Sequence, residues 1–210
     1  MPCSKCKKDG HNRATCVEPE VPVVEHVQSK QKSKPVDEVI DIPEEDRIKF
    51  RKLAALCSEV AKTLGKGHTE SVYQHALCME LQTHGIAYSF EVPMSIMYKG
   101  HTIPHNYQRL DVIIYDYLPF IFEFKANNCA IKNCDRWQLV RYMGSLDKPY
   151  GAVVNFTQKS GRPLLISVIV RHEGVYKKYN VASGKGRPLV DYGYSASLTD
   201  DDCDSDTSDD

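Results

Sequence analysis

The chain contains no run of eighteen apolar residues, so no membrane-spanning helix is expected. Its opening residues, MPCSKCKKDGHNRATC, hold no apolar stretch of the kind a secretory leader needs. The expectation is therefore an intracellular protein, of cytoplasm or nucleus. Tryptophan is nearly absent, with one residue, and the net charge is only −1. Eight cysteines without an export signal are expected as thiols or metal ligands rather than a disulfide frame. What is present is ordinary globular composition: 210 residues, 41% hydrophobic and 26% charged, enough for one well-filled core.

The near-zero charge hides a segregation. Residues 1–16 carry +3, residues 17–46 carry −6, residues 47–199 carry +9, and residues 200–210 carry seven Asp with no basic residue. A basic head and a basic core, separated by an acidic connector and followed by an acidic tail, suggest a polyanionic partner for the basic parts.

Residues 19–42 are rich in Pro, Glu, Lys and Val without a helical or strand repeat, and are expected as a flexible linker. Apolar residues then recur at Ile48, Phe50, Leu53, Ala54, Cys57, Val60, Ala61 and Leu64, which predicts a helix that Gly65 and Gly67 end. A second helix is predicted over 69–84, with Gly85 as its stop. The period then changes. Strands are predicted over 86–98 and 108–115, with a Lys99-Gly100 turn between them, and over 118–126, where LPFIFEFKA reads as a central strand buried on both faces. A helix over 133–146 and strands over 151–156 and 164–170 complete an α/β domain expected to span 43–180. Residues 181–210 lack pattern and are expected to be poorly ordered, with an acidic tail.

Cys3, Cys6, His11 and Cys16 follow the spacing C-x2-C-x4-H-x4-C, within an expected small domain of residues 1–18. Three thiolates and one imidazole close a tetrahedral shell around Zn2+ and leave no open position for catalysis. So few residues cannot build a core, so the metal has to supply the folding free energy. The pattern resembles the CCHC zinc knuckle, which implies contact with single-stranded nucleic acid. Lys5, Lys7, Lys8 and Arg13 would address phosphates, although Lys7 and Asn12 stand where an aromatic often stacks on a base.

In the core, Asp111 precedes Glu123 and Lys125 by twelve and fourteen residues. Alternate residues of a strand share a face, so Glu123 and Lys125 point one way while Phe122 and Phe124 point the other. Charges projecting from an apolar strand are costly unless a metal or an opposite charge compensates them. Two carboxylates and a backbone carbonyl suit Mg2+ or Mn2+, and such an ion beside an ammonium group suits phosphodiester hydrolysis. An internal Glu–Lys salt bridge explains the bare motif equally well, and context has to decide. Gln138 and Tyr142 lie four apart on the third helix, and Glu70 and Tyr73 share a face of the second.

Taken together, GKGHTESVYQHALCMELQTHGI, EVPMSIMYKG, RLDVII, FEFKA, WQLVRYM and GAVVNF resemble, in order, the GxxExxY family of the PD-(D/E)xK nuclease superfamily, over residues 67–156. The resemblance implies a restriction-endonuclease-like core, a mixed central sheet flanked by helices, and Mg2+- or Mn2+-dependent cleavage of nucleic acid, DNA favoured. It implies Glu70 as a helix-borne acid, with Glu70, Asp111 and Glu123 holding the metal. Lys125 would orient or activate water, and Gln138 and Tyr142 would support the site. Leu110 stands where the superfamily usually has Pro. A CCHC knuckle ahead of such a core looks like proteins of large DNA viruses.

Other residues carry less. Gly100 and Pro104 predict that His101 and His105 sit in an exposed turn. His68, His75 and His84 read as helix-surface residues, and Cys129 and Cys134 as thiols rather than zinc ligands. Trp137, Tyr73 and Met143 read as core.

Overall fold

The computed structural model describes residues 37–189. In chain order the elements are β1 (Glu38–Val39), α1 (Glu44–Leu64), α2 (Glu70–Thr83), β2 (Tyr88–Tyr98), β3 (His101–Ile114), β4 (Phe120–Lys125), α3 (Asn133–Ser145), β5 (Tyr150–Asn155), β6 (Leu165–His172), β7 (Val175–Asn180) and β8 (Lys185–Pro188). The strands make one sheet in the order β1-β8-β7-β6-β5-β4-β3-β2. Only β4 and β5 pair in parallel, because α3 carries the chain back across the sheet between them; every other pairing is antiparallel. This is the expected restriction-endonuclease-like arrangement of a mixed sheet flanked by helices. No described helix is long and apolar enough to cross a membrane.

The sheet is covered on both faces at its centre. Phe50, Leu53, Cys57 and Val60 of α1 and Tyr73, Leu77 and Leu81 of α2 pack on Val112, Ile114, Phe120, Phe122, Phe124, Ala152 and Val154. On the other face Leu139, Val140, Tyr142 and Met143 of α3 pack on Ile113, Ile121, Val153 and Ile169. Double burial explains why FIFEF shows no alternation of apolar and polar residues. α3 approaches so closely that a Cβ at Gly151 would lie 2.9 Å from Leu139 Cδ1 and 3.0 Å from the Ile121 carbonyl.

The folded unit is larger than the expected 43–180. β1 falls in the stretch expected as linker, and β8 in the stretch expected to lack order. Both add to the sheet beyond β7, with Glu38 opposite Gly186 and Asn180 opposite Lys185. The remainder of the expected linker, the knuckle and the acidic tail lie outside the described residues.

The hairpin β2–β3 is longer than expected. Lys99 and Gly100 form its turn with φ of 49° and 81°, the doubly positive pair that tight hairpin turns require. His101 and His105 are exposed, as expected, but they belong to strand β3 rather than to a turn. A positive φ at His105 and a register shift between Ser95 and Met97 absorb the irregularity that Gly100 and Pro104 announce.

Candidate active site

Alternation along β4 sends Phe122 and Phe124 into the core under α1 and α2, and Glu123 and Lys125 the opposite way. Glu123 is only 2% exposed. The Lys125 ammonium donates to Glu123 Oε1 at 2.6 Å and to the Phe124 carbonyl at 2.9 Å. Asp111 is brought in by register. Pairing of β3 with β4 runs from Ile114 opposite Phe120 to Val112 opposite Phe122, and one step further sets Asp111 against Glu123. There the ladder stops, and Asp111 Oδ2 accepts the backbone N–H of Phe124 at 2.7 Å.

These groups sense one another. Burial pushes the Glu123 carboxyl up to about 7, the Asp111 and Glu70 carboxylates add to the rise, and Lys125 opposes it. Burial also raises Asp111, against the pull of the Phe124 N–H, Lys125 and Arg109. Glu70, the first residue of α2, is raised by burial against the attraction of Lys125. Burial works against the charged Lys125, yet Glu123, Glu70 and Asp111 outweigh it and hold the ammonium above its ordinary value.

Gln138 and Tyr142 join from α3. The Gln138 amide donates to the Tyr142 hydroxyl at 3.3 Å, and that hydroxyl donates to the Arg109 carbonyl at 3.2 Å, two residues from Asp111. Burial raises the Tyr142 phenol, and the Glu123 and Asp111 carboxylates raise it further. All six expected residues therefore lie in one neighbourhood. The three acids expected to share a metal do not close on one point, however. Among the described residues no three Asp, Glu, His or Cys side chains form a ready metal shell. Like charges repel at close range, and the Lys125 ammonium takes the place of a cation on Glu123.

One contributor carried no sequence signal. Gln158, on the loop after β5, accepts the Gly67 N–H at 2.6 Å and donates to the Tyr73 hydroxyl at 3.1 Å and to the Phe156 carbonyl at 2.6 Å. Tyr73 in turn donates to the Gly65 carbonyl at 2.9 Å and stacks on Phe156 with ring centroids 4.4 Å apart. One amide thus grips both glycines of the connection that leads into Glu70. The start of α2 has no side-chain cap of its own at Thr69, so this grip takes on the anchoring a cap would give.

The sequence of residues 48–165 matches the family model described as the PD-(D/E)XK nuclease superfamily. The chain belongs to this superfamily. The match covers more than half of the chain and includes Glu70, Asp111, Glu123, Lys125, Gln138 and Tyr142. No curated protein and no solved structure matches the chain significantly. PD-(D/E)XK nucleases act on nucleic acid and typically use divalent ions such as Mg2+. The donor set fits such an ion: Glu123 Oε2 is buried without a hydrogen-bond partner, beside a second carboxylate and a backbone carbonyl. Hard oxygens are what Mg2+ and Mn2+ prefer. Cys3, Cys6, His11 and Cys16 lie outside the described residues.

Proposed function

We propose that the protein is a Mg2+- or Mn2+-dependent nuclease of the GxxExxY type, which hydrolyses phosphodiester bonds with a preference for DNA. The observation that carries the reading is the buried Glu123 Oε2, an acidic oxygen with no partner, next to Asp111 and Lys125. A folded chain rarely leaves such an oxygen unpaired unless something binds it. Asp111 and Glu123 would hold the metal, with Glu70 drawn in when an ion replaces the charge of Lys125. When bound, the ion would act as a Lewis acid on the phosphate and make water more acidic. Lys125, released from Glu123, would orient the attacking water and stabilise charge on the phosphate. The Phe124 N–H fixes Asp111, and Tyr142 with Gln138 would steady β3 beside it.

The same reading assigns Zn2+ to Cys3, Cys6, His11 and Cys16, with the knuckle aiding contact to single strands. Purified protein should contain about one equivalent of zinc by this assignment, and Cys6→Ser should lose it. The deciding experiment is cleavage of linear, nicked and single-stranded DNA, and of RNA, with Mg2+, Mn2+ or EDTA. Metal-dependent cutting that Asp111→Ala and Lys125→Ala abolish supports the reading. Cutting that survives both variants would overturn it, and binding without any cutting would make the protein a non-catalytic relative.

A further inference from the structure

The outer half of the β2–β3 hairpin extends beyond the part that β4 pairs, since β4 reaches only Val112–Ile114 of β3. One face of this arm, through Val92, Met94 and Leu110, packs toward the α3 side of the core. The other face is open. Pro93 pairs with Arg109 and Ser95 with Tyr107, and all four are exposed. Tyr107 is 69% exposed, with no hydrogen-bond or ring partner among the described residues. Met97 and Tyr98 are exposed beyond it, and the Lys99 ammonium lies over the Tyr98 ring at 5.4 Å.

Exposed aromatic area on a strand is unfavourable unless something covers it. Charge says what. From Val92 to Leu110 the arm carries no Asp or Glu, while it carries Lys99, Arg109, His101 and His105. An acidic partner therefore fits this face, and a second copy of the same cationic arm does not. Pro93, on edge strand β2, cannot donate to a further strand, which also opposes edge-to-edge pairing of copies. Position points the same way. Strands rise about 3.3 Å per residue, so Arg109 and Tyr107 stand about 7 and 13 Å from Asp111 along β3. Those steps are close to the spacing of successive phosphates in an extended single strand. A cation and a flat ring so placed suit a backbone phosphate and an unpaired base, because every base offers a face for stacking.

We infer that the β2–β3 arm is the binding track for unpaired nucleotides of the substrate, with Tyr107 stacking a base and Arg109 taking a phosphate. The inference rests on the nuclease reading and names its substrate class as nucleic acid with a single-stranded segment next to the scissile bond.

The test is binding of a fluorescent single-stranded DNA oligonucleotide to the full chain in EDTA, read by anisotropy across a salt series. Tyr107→Ala should weaken binding by about 5- to 100-fold, the range for losing one stacked base, while Tyr107→Phe keeps it. Arg109→Gln should lower the salt slope by about one. Matched duplex should be affected less than the single strand. Because the knuckle could also hold single strands, a 5-iodouracil oligonucleotide is photocrosslinked and the modified peptide mapped. A crosslink within 98–109 supports the track. Unchanged affinity in Tyr107→Ala, or crosslinks confined to residues 1–18, would overturn it. So would a wild-type dimer that Tyr107→Ala turns into a monomer. Asp111→Ala should bind like wild type in EDTA; if it still cuts DNA in Mn2+, the nuclease reading fails, whatever the arm does.

Discussion

The fold buries two lysine–glutamate pairs, and they differ in the charge around them. Lys177 of β7, 5% exposed, meets Glu38 of β1, whose side chain is 47% exposed. That pair is matched one to one and its acid reaches solvent. Lys125 meets Glu123 inside the sheet, where Asp111 and Glu70 add two further carboxylates. Three acids against one ammonium leave negative charge uncompensated and one oxygen of Glu123 without a partner. A buried pair is at best weakly stabilising, and a buried excess of one sign is a cost to folding. The first pair closes a sheet edge; the second has the form of a site waiting for positive charge.

Breaking each pair should therefore have opposite consequences. The largest effect is on activity. Asp111→Ala and Glu123→Gln should lower the initial cleavage rate by about 10³-fold or more, while Lys177→Met leaves it within about twofold of wild type. The next is on stability, read by urea unfolding in EDTA. Lys177→Met should cost about 1–2 kcal/mol, since Glu38 can rehydrate, whereas Glu123→Gln should gain about 1–2 kcal/mol by removing a buried charge.

The pH dependence sharpens the contrast. The folded carboxyl of Glu123 titrates at about 7 against 4.5 for the free group, so the folded state holds this proton more tightly. Its contribution to stability is present in full below pH 4.5 and is lost as pH rises through about 7. Metal-free wild type should lose stability over that window relative to Glu123→Gln, by unfolding measured at several pH values. Mn2+ should restore it in wild type and not in the variant.

The smallest effect concerns the grip of Gln158 on the entry to α2. Gln158→Ala should reduce kcat by about tenfold with little change in KM. In a Glu70→Ala background it should have no further effect, because a residue acting through Glu70 has nothing left to position. Additive losses would make Gln158 merely structural.

Much of this was legible in the sequence because period and chemistry agreed. The helical stripe of α1, the stop at Gly65 and the doubly buried β4 all follow from spacing, and parity alone puts Glu123 and Lys125 on one side. β7 and β8 were not legible. VYKKYN turns Lys177 inward beside Tyr179, so a buried lysine spoils the apolar alternation. KGRP has no apolar residue; its Gly186 is there because the Ile40 side chain fills the space of a Cβ. β1 has only two residues, too short for any period. At the site, the acids and the lysine could be chosen from sequence. Neither the Phe124 N–H on Asp111 nor the Gln158 amide under α2 could be, since both depend on distant segments meeting and neither residue type marks its partner.

The central claim is that Asp111 and Glu123 form a seat for a divalent ion. Crystals soaked in Mn2+ and measured for anomalous scattering test it most directly. The account predicts a peak between the Asp111 and Glu123 carboxylates, with the Lys125 ammonium moved off Glu123 Oε1. No peak at saturating Mn2+, with Lys125 still bonded to Glu123, would contradict it and leave the pair as a buried salt bridge.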